Sequence, residues 1–175
     1  QELGRLDEAE ASYKQAIALK PDYNEAHSNL GNTLQELGRL EEAEATHRQA
    51  IVLKPDYAQA HNNLGITLQE LGKLDEAEAS YTQAIALKPD YAEAHGNLGV
   101  IFAIKENYDS ALDSIGRAND IEPMNQKFIV LKNILKSRQS HKQHGTGSCG
   151  VDGSIFDMKL NSNPLILQRA VEPEL

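Results

Sequence analysis

The sequence predicts an all-α fold, an α-solenoid built from stacked pairs of helices. Three observations lead there. The 34-residue stretch Ala58–Tyr91 reads AQAHNNLGITLQELGKLDEAEASYTQAIALKPDY, and nearly the same text occupies 24–57 and, more loosely, 92–125. Anchors recur at that period: Pro21, Pro55, Pro89 and Pro123; His27, His61 and His95; Ala9, Ala43, Ala77 and Ala111. Inside each copy the apolar residues keep helical spacing. A unit this short cannot bury its apolar face alone, so copies must stack on one another.

The chain opens on half a repeat, residues 1–23, followed by repeats over 24–57, 58–91 and 92–125. In the middle copy Ala60, Leu64, Leu68 and Leu71 lie on one face of a first helix. Leu74, Ala77, Tyr81, Ala84, Ile85 and Leu87 line a second; offsets of three and four make each set one stripe. Gly4, Gly38 and Gly72 stand between the two blocks, where a helix end favours positive φ. Pro89 and its equivalents stop the second helix. Asp22 with Glu25, Asp56 with Gln59 and Asp90 with Glu93 read as capping boxes opening the next first helix. Asp7-Glu8, Glu41-Glu42 and Asp75-Glu76 place negative charge at the start of second helices, as the helix dipole favours. Gly31, Gly65 and Gly99 sit where neighbouring helices must approach closely.

This pattern resembles the tetratricopeptide repeat over residues 1–123, through Leu64, Gly65, Leu68, Gly72, Ala77, Tyr81, Ala84 and Pro89 in the middle copy. His61 stands where that family often has Trp, and His47 takes a position held by Tyr13 and Tyr81 elsewhere. The third copy drifts, with Glu106-Asn107 at the turn and Ile115 at the tyrosine position. The resemblance implies a right-handed superhelix with first helices on its concave side.

Beyond Pro123 the rhythm fails. Residues 124–142 read as a basic capping helix, apolar through Phe128, Leu131 and Leu135 and decorated by Lys127, Lys132, Lys136 and Arg138. Residues 143–175 read as a Gly-rich linker and short irregular tail, with Phe156, Met158 and Leu160 alternating as in a short strand. The start at Gln1, in mid-repeat, and the stop at Pro173-Glu174-Leu175 lead us to expect a piece of a longer protein, whose next domain the tail would begin.

Composition narrows the functional classes. The formal net charge is −9, and residues 1–122 carry 22 acids against 10 bases. A field of that sign disfavours a nucleic-acid backbone as partner, and no apolar run is long enough for a membrane span. The single cysteine, Cys149, rules out an intrachain disulfide and leaves the compartment open, with the cytoplasm favoured. His27, His61 and His95 lie one per repeat and cannot converge on an ion, and His141, His144 and Cys149 lack a paired second motif, so no metal is expected. Gly145-Thr-Gly147-Ser-Cys-Gly150 matches G-x-G-x-x-G in letters only, since the dinucleotide motif needs a strand before it and a helix after it. No active site and no cofactor is expected.

The positive signal is Asn29, Asn63 and Asn97, at one position of the three first helices. The match is close to the superhelical repeats of O-linked N-acetylglucosamine transferase. There, the resemblance implies, asparagines at this position form an inward ladder holding a peptide by its backbone. A carboxamide has the donors and acceptor that such a contact needs. Ser28, Asn32, Asn62, Ile66, Val100, Gln35 and Gln69 are the neighbours expected to set specificity. The expected role is a protein-interaction module for an extended peptide, neutral or basic because no cation lies near these positions. The alternative is the substrate-recruiting arm of a larger enzyme. A third expectation is self-association through Leu6, Tyr13 and Ile17 of the opening half repeat.

Overall fold

The computed structural model describes residues 2–143, which form eight helices. They are α1 (Glu2–Leu19), α2 (Asn24–Glu36), α3 (Leu40–Leu53), α4 (Ala58–Glu70), α5 (Leu74–Leu87), α6 (Ala92–Ile104), α7 (Tyr108–Ile121) and α8 (Gln126–Gln143). The chain forms two compact units, Gln1–Pro89 with α1–α5 and Asp90–Leu175 with α6–α8. The Gly-rich linker, Cys149 and the short strand expected over 156–160 lie outside the described residues.

Each turn inside a repeat is made by backbone chemistry that the glycines permit. At the end of α2 the Gly38 amide donates to the Gln35 carbonyl (2.9 Å) and the Arg39 amide to the Leu34 carbonyl (2.9 Å). This Schellman pair satisfies two carbonyls that the helix end leaves free, and it needs a left-handed residue between. Gly38 and Gly72 supply it at φ 75° and 74°. In the third repeat the same bonds form around Glu106, at φ 56°. Gly4 does not play this part. It lies inside α1, which runs unbroken from Glu2.

The capping boxes are corrected. The residues preceding α2, α4 and α6 are Tyr23, Tyr57 and Tyr91, and no side chain caps these helices. Asp22, Asp56 and Asp90 stand one residue too early. The loop is tied instead by histidine: Nε2 of His27 donates to the Pro21 carbonyl and that of His61 to the Pro55 carbonyl, each at 3.0 Å. A carbonyl oxygen only accepts, so Nε2 carries the proton in both rings. A side-chain cap does appear at α7, where Asn107 accepts from the Ser110 amide.

Close helix approach explains the small residues. A Cβ added at Gly31 would come within 2.5 Å of the His47 ring, at Gly65 within 2.6 Å of the Tyr81 ring, and at Gly99 within 2.7 Å of Ile115. These pairs stitch α2 to α3, α4 to α5 and α6 to α7. Ala43, Ala50, Ala77, Tyr81, Ala84, Ala111, Ile115 and Ala118 are completely buried as a result. In the second unit α8 closes one side with Phe128 against Ala92 and Ala118, and with Leu131 and Leu135 against Ala111 and Ile115.

On α1, α3 and α5 the second helices are linked by ion pairs that repeat with the sequence. Arg39 reaches back to both carboxylate oxygens of Glu10 (2.8 Å) and Lys73 to Glu44 (2.7 Å). Arg48 bridges Glu44 and Glu76 at 2.9 and 2.7 Å. The carboxyls of Glu10, Glu42 and Glu44 are held below their ordinary range, chiefly by hydrogen bonds from Lys14, Arg39 and Lys73 respectively.

Candidate peptide-binding surface

In the first unit α2 and α4 present matching stripes. Along α2 run Glu25, Asn29, Asn32 and Glu36; along α4 the same positions hold Gln59, Asn63, Ile66 and Glu70. Offsets of four, three and four keep each set on one helical face. Neither helix contains a Lys or an Arg, nor does α6. Asn29 is exposed, Asn32 and Ile66 are half-buried, and Asn63 is 8% exposed. The Asn63 amide nitrogen lies 3.4 Å from the Ser28 hydroxyl, a long hydrogen bond across the α2–α4 seam. In the second unit, taken alone, Asn97 is half-buried on α6.

Two of the expected neighbours are corrected. Ser28 and Asn62 are 1% exposed; Val100, at the position of Asn32 and Ile66, is 8% exposed, as little as Asn63. A residue one place before the asparagine is turned about 100° around the helix, which carries 28 and 62 into the packed seam. They support the surface from behind and cannot touch a ligand.

Gln35 and Gln69 hold equivalent positions but do different work. Tyr81 donates its hydroxyl to Gln69 Oε1 at 3.1 Å, a bond within one repeat. His47 replaces that tyrosine in the preceding repeat and has no hydroxyl. Gln35 instead crosses to the next first helix. Its Nε2 donates to Glu70 Oε1 at 2.9 Å, and its Oε1 lies 3.2 Å from the Thr67 hydroxyl. Thr67 has one proton for two acceptors, Gln35 and the Asn63 carbonyl at 3.2 Å. Burial raises the Glu70 carboxyl above its ordinary range, and the bond from Gln35 offsets part of that. The Gln35–Thr67–Glu70 network joins α2 to α4 at the end of these stripes. Only the odd residue at position 47 hints at it in the sequence.

Comparison with known proteins follows this geometry. Tetratricopeptide-repeat models match residues 2–38, 22–90 and 62–120, together spanning most of the chain. The chain is a tetratricopeptide-repeat protein. Among solved structures it is similar to MamA, with TM-score 0.72 and 22% identity over 81% of this chain and 83% of that one. It is also similar to TTC0263, a thermophilic tetratricopeptide-repeat protein of Thermus thermophilus. That match has TM-score 0.67 and 26% identity over 77% and 74% of the two chains. A third is the first such domain of Spaghetti (RPAP3), solved with an HSP90 peptide. Here the TM-score is 0.65 and the identity 19%, over 67% and 93%. A search of curated proteins found no match. The family and its all-α solenoid fold serve as a protein-interaction scaffold, generally without enzymatic activity.

Proposed function

We propose that this tetratricopeptide-repeat protein binds an extended segment of a partner protein along the stripes of α2 and α4. The observation that carries the reading is the composition of those stripes. Asn29, Asn32 and Asn63 offer amides, Ile66 offers one apolar contact, Glu25, Glu36 and Glu70 offer acids, and no cation is present. Amides can meet both the N–H and the C=O of a peptide backbone. Carboxylates on the same helix faces favour a neutral or basic segment over an acidic one. The RPAP3 domain shares the fold and holds the acidic peptide SRMEEVD; with no Lys or Arg on its first helices, this chain is expected to refuse such a ligand. Asn97, at the same position of α6, is the corresponding candidate in the second unit taken by itself.

The test is a random-peptide selection against the whole chain, followed by titration of enriched peptides. Asn29→Ala, Asn63→Ala and Asn97→Ala should each weaken binding by roughly fivefold, the worth of about one net hydrogen bond. Helical content should stay unchanged. Equal affinity in the triple variant would remove the asparagines from the mechanism.

A second reading makes the same surface the recruiting arm of a larger enzyme. The resemblance of the asparagine positions to those of the transferase repeats is what supports it. It predicts that peptides selected on this chain are also modified by the longer protein, and peptides bound but never modified would count against it.

A further inference from the structure

The stripes of α2 and α4 differ most at their C-terminal ends. The last two positions are Asn32 and Glu36 on α2, and Ile66 and Glu70 on α4. Glu36 is exposed, whereas Ile66 and Glu70 are half-buried. Glu70 is also held in place, because Gln35 Nε2 donates to its Oε1 at 2.9 Å. Gln35 is steadied in turn by the Thr67 hydroxyl, 3.2 Å from its own Oε1. Among the described residues this neutral amide is the sole hydrogen-bond partner of Glu70, so a half-buried carboxylate stands without a counter-charge. Burial accordingly raises its pKa. The second oxygen and the remaining lone pair of the first stay open to further donors. One turn back on the same face, Ile66 presents apolar surface.

We infer that Ile66 and Glu70 form a subsite for one long basic side chain, arginine or lysine, of the bound segment. The inference rests on the peptide-binding reading of the stripes. Such a side chain is an apolar stem ending in a charge, and it lays the stem on apolar surface while the head seeks polar partners. Ile66 and Glu70, one turn apart, offer those two contacts in that order. The head supplies the counter-charge that Gln35 cannot, through hydrogen bonds about twice as strong as neutral ones. The fork of a guanidinium can meet both carboxylate oxygens, which favours arginine. The equivalent place on α2 lacks these features, since Asn32 replaces the isoleucine and Glu36 lies in solvent. Asn63 and Glu70 are seven residues apart, about 10 Å along the helix. An extended segment covers that distance in about three residues. The basic residue should therefore keep a fixed spacing from the one whose backbone Asn63 holds.

Peptides selected on the whole chain supply the probe, and their alignment should show one basic position. Replacing an arginine there by citrulline, or a lysine by acetyl-lysine, removes the charge and nearly keeps the shape. That change should weaken binding by roughly tenfold. Glu70→Gln should cost the charged peptide as much and the neutral one little, because the same contact cannot be lost twice. The new amide oxygen can still accept from Gln35, and helical content checks that the fold is kept. Glu36→Gln should leave the difference between the two peptides within about twofold of its parent value. Ile66→Ala should weaken both peptides alike. Peptides that depend on Asn29 and Asn63 but share no basic position would sink the subsite and leave the peptide-binding reading standing. So would a Glu70→Gln variant that penalises both peptides equally, or a charge preference abolished by Glu36→Gln instead. If no selected peptide is weakened by Asn63→Ala, the reading itself fails and takes the subsite with it.

Discussion

The imidazole of His47 is completely buried and neither ring nitrogen has a hydrogen-bond partner. Burial alone pushes its pKa from 6.5 down to about 4. The unfolded chain therefore binds a proton between those values that the folded chain refuses, and stability falls as pH drops through that window. The full loss is about 3 kcal/mol, from about 1.4 kcal/mol per pKa unit. Glu70, with its carboxyl raised by burial, acts in the opposite sense. Carboxyls held low by ion pairs, such as Glu44, act mainly at more acid pH. His47→Tyr should remove the His47 part, because the Tyr81 ring already fits the equivalent place against Gly65. The expected result is a thermal midpoint that changes less between pH 6.5 and 4 in the variant than in the parent. An unchanged profile would mean that the ring is not neutral in the folded state. The substitution was visible in the sequence as a missing tyrosine. Its effect on Gln35 was not, because which partner an amide reaches depends on side-chain lengths across a seam that only coordinates reveal.

At the scale of elements, the turns between helices carry the most information per residue. Gly38 and Gly72 have open space where a Cβ would go, so their need for glycine is purely conformational. Gly72→Ala should cost about 1 kcal/mol for the left-handed backbone alone. Glu106 already bears that strain in the third repeat, and Glu106→Gly should recover roughly 0.5–1 kcal/mol, less the extra freedom given to the unfolded chain. Chemical denaturation of both variants checks the pair, and a loss of stability in Glu106→Gly would contradict it. Helix limits were legible because Pro and Gly punctuate a strong period of three and four. The starts of α2, α4 and α6 were not, since an aspartate one residue early cannot reach the first-turn amides. Ser28 and Asn62 were misjudged for a related reason. On helices this rich in Ala, Gly and Asn, the line between the seam and the open face is drawn by packing and not by hydropathy.

For the chain as a whole, charge decides what a bound segment can be. Over residues 1–122 acids outnumber bases 22 to 10, and several bases of the first unit are engaged. Arg39 and Arg48 are each held between two carboxylates of the second helices, Lys73 is paired with Glu44, and Lys14 with Glu10. The first helices carry acids alone, so a segment along α2 and α4 meets Glu25, Glu36 and Glu70 with no cation on those helices to neutralise them. Recognition should thus have two separable components. On the proposed reading, backbone contacts through the asparagines are short-ranged and indifferent to salt. Attraction between the acids and any Lys or Arg of the partner acts over a Debye length, about 10 Å at 0.1 M and 3 Å at 1 M. Two peptides of equal length, one neutral and one with lysines at alternate positions, separate them. Raising the salt between those limits should weaken the lysine peptide severalfold, mainly through slower association, and leave the neutral peptide nearly unchanged. Asn29→Ala should weaken both by the same factor at every salt concentration. If the lysine peptide were as insensitive to salt as the neutral one, the acids of α2 and α4 would lie outside the contact, and the bound segment would have to be sought on another face.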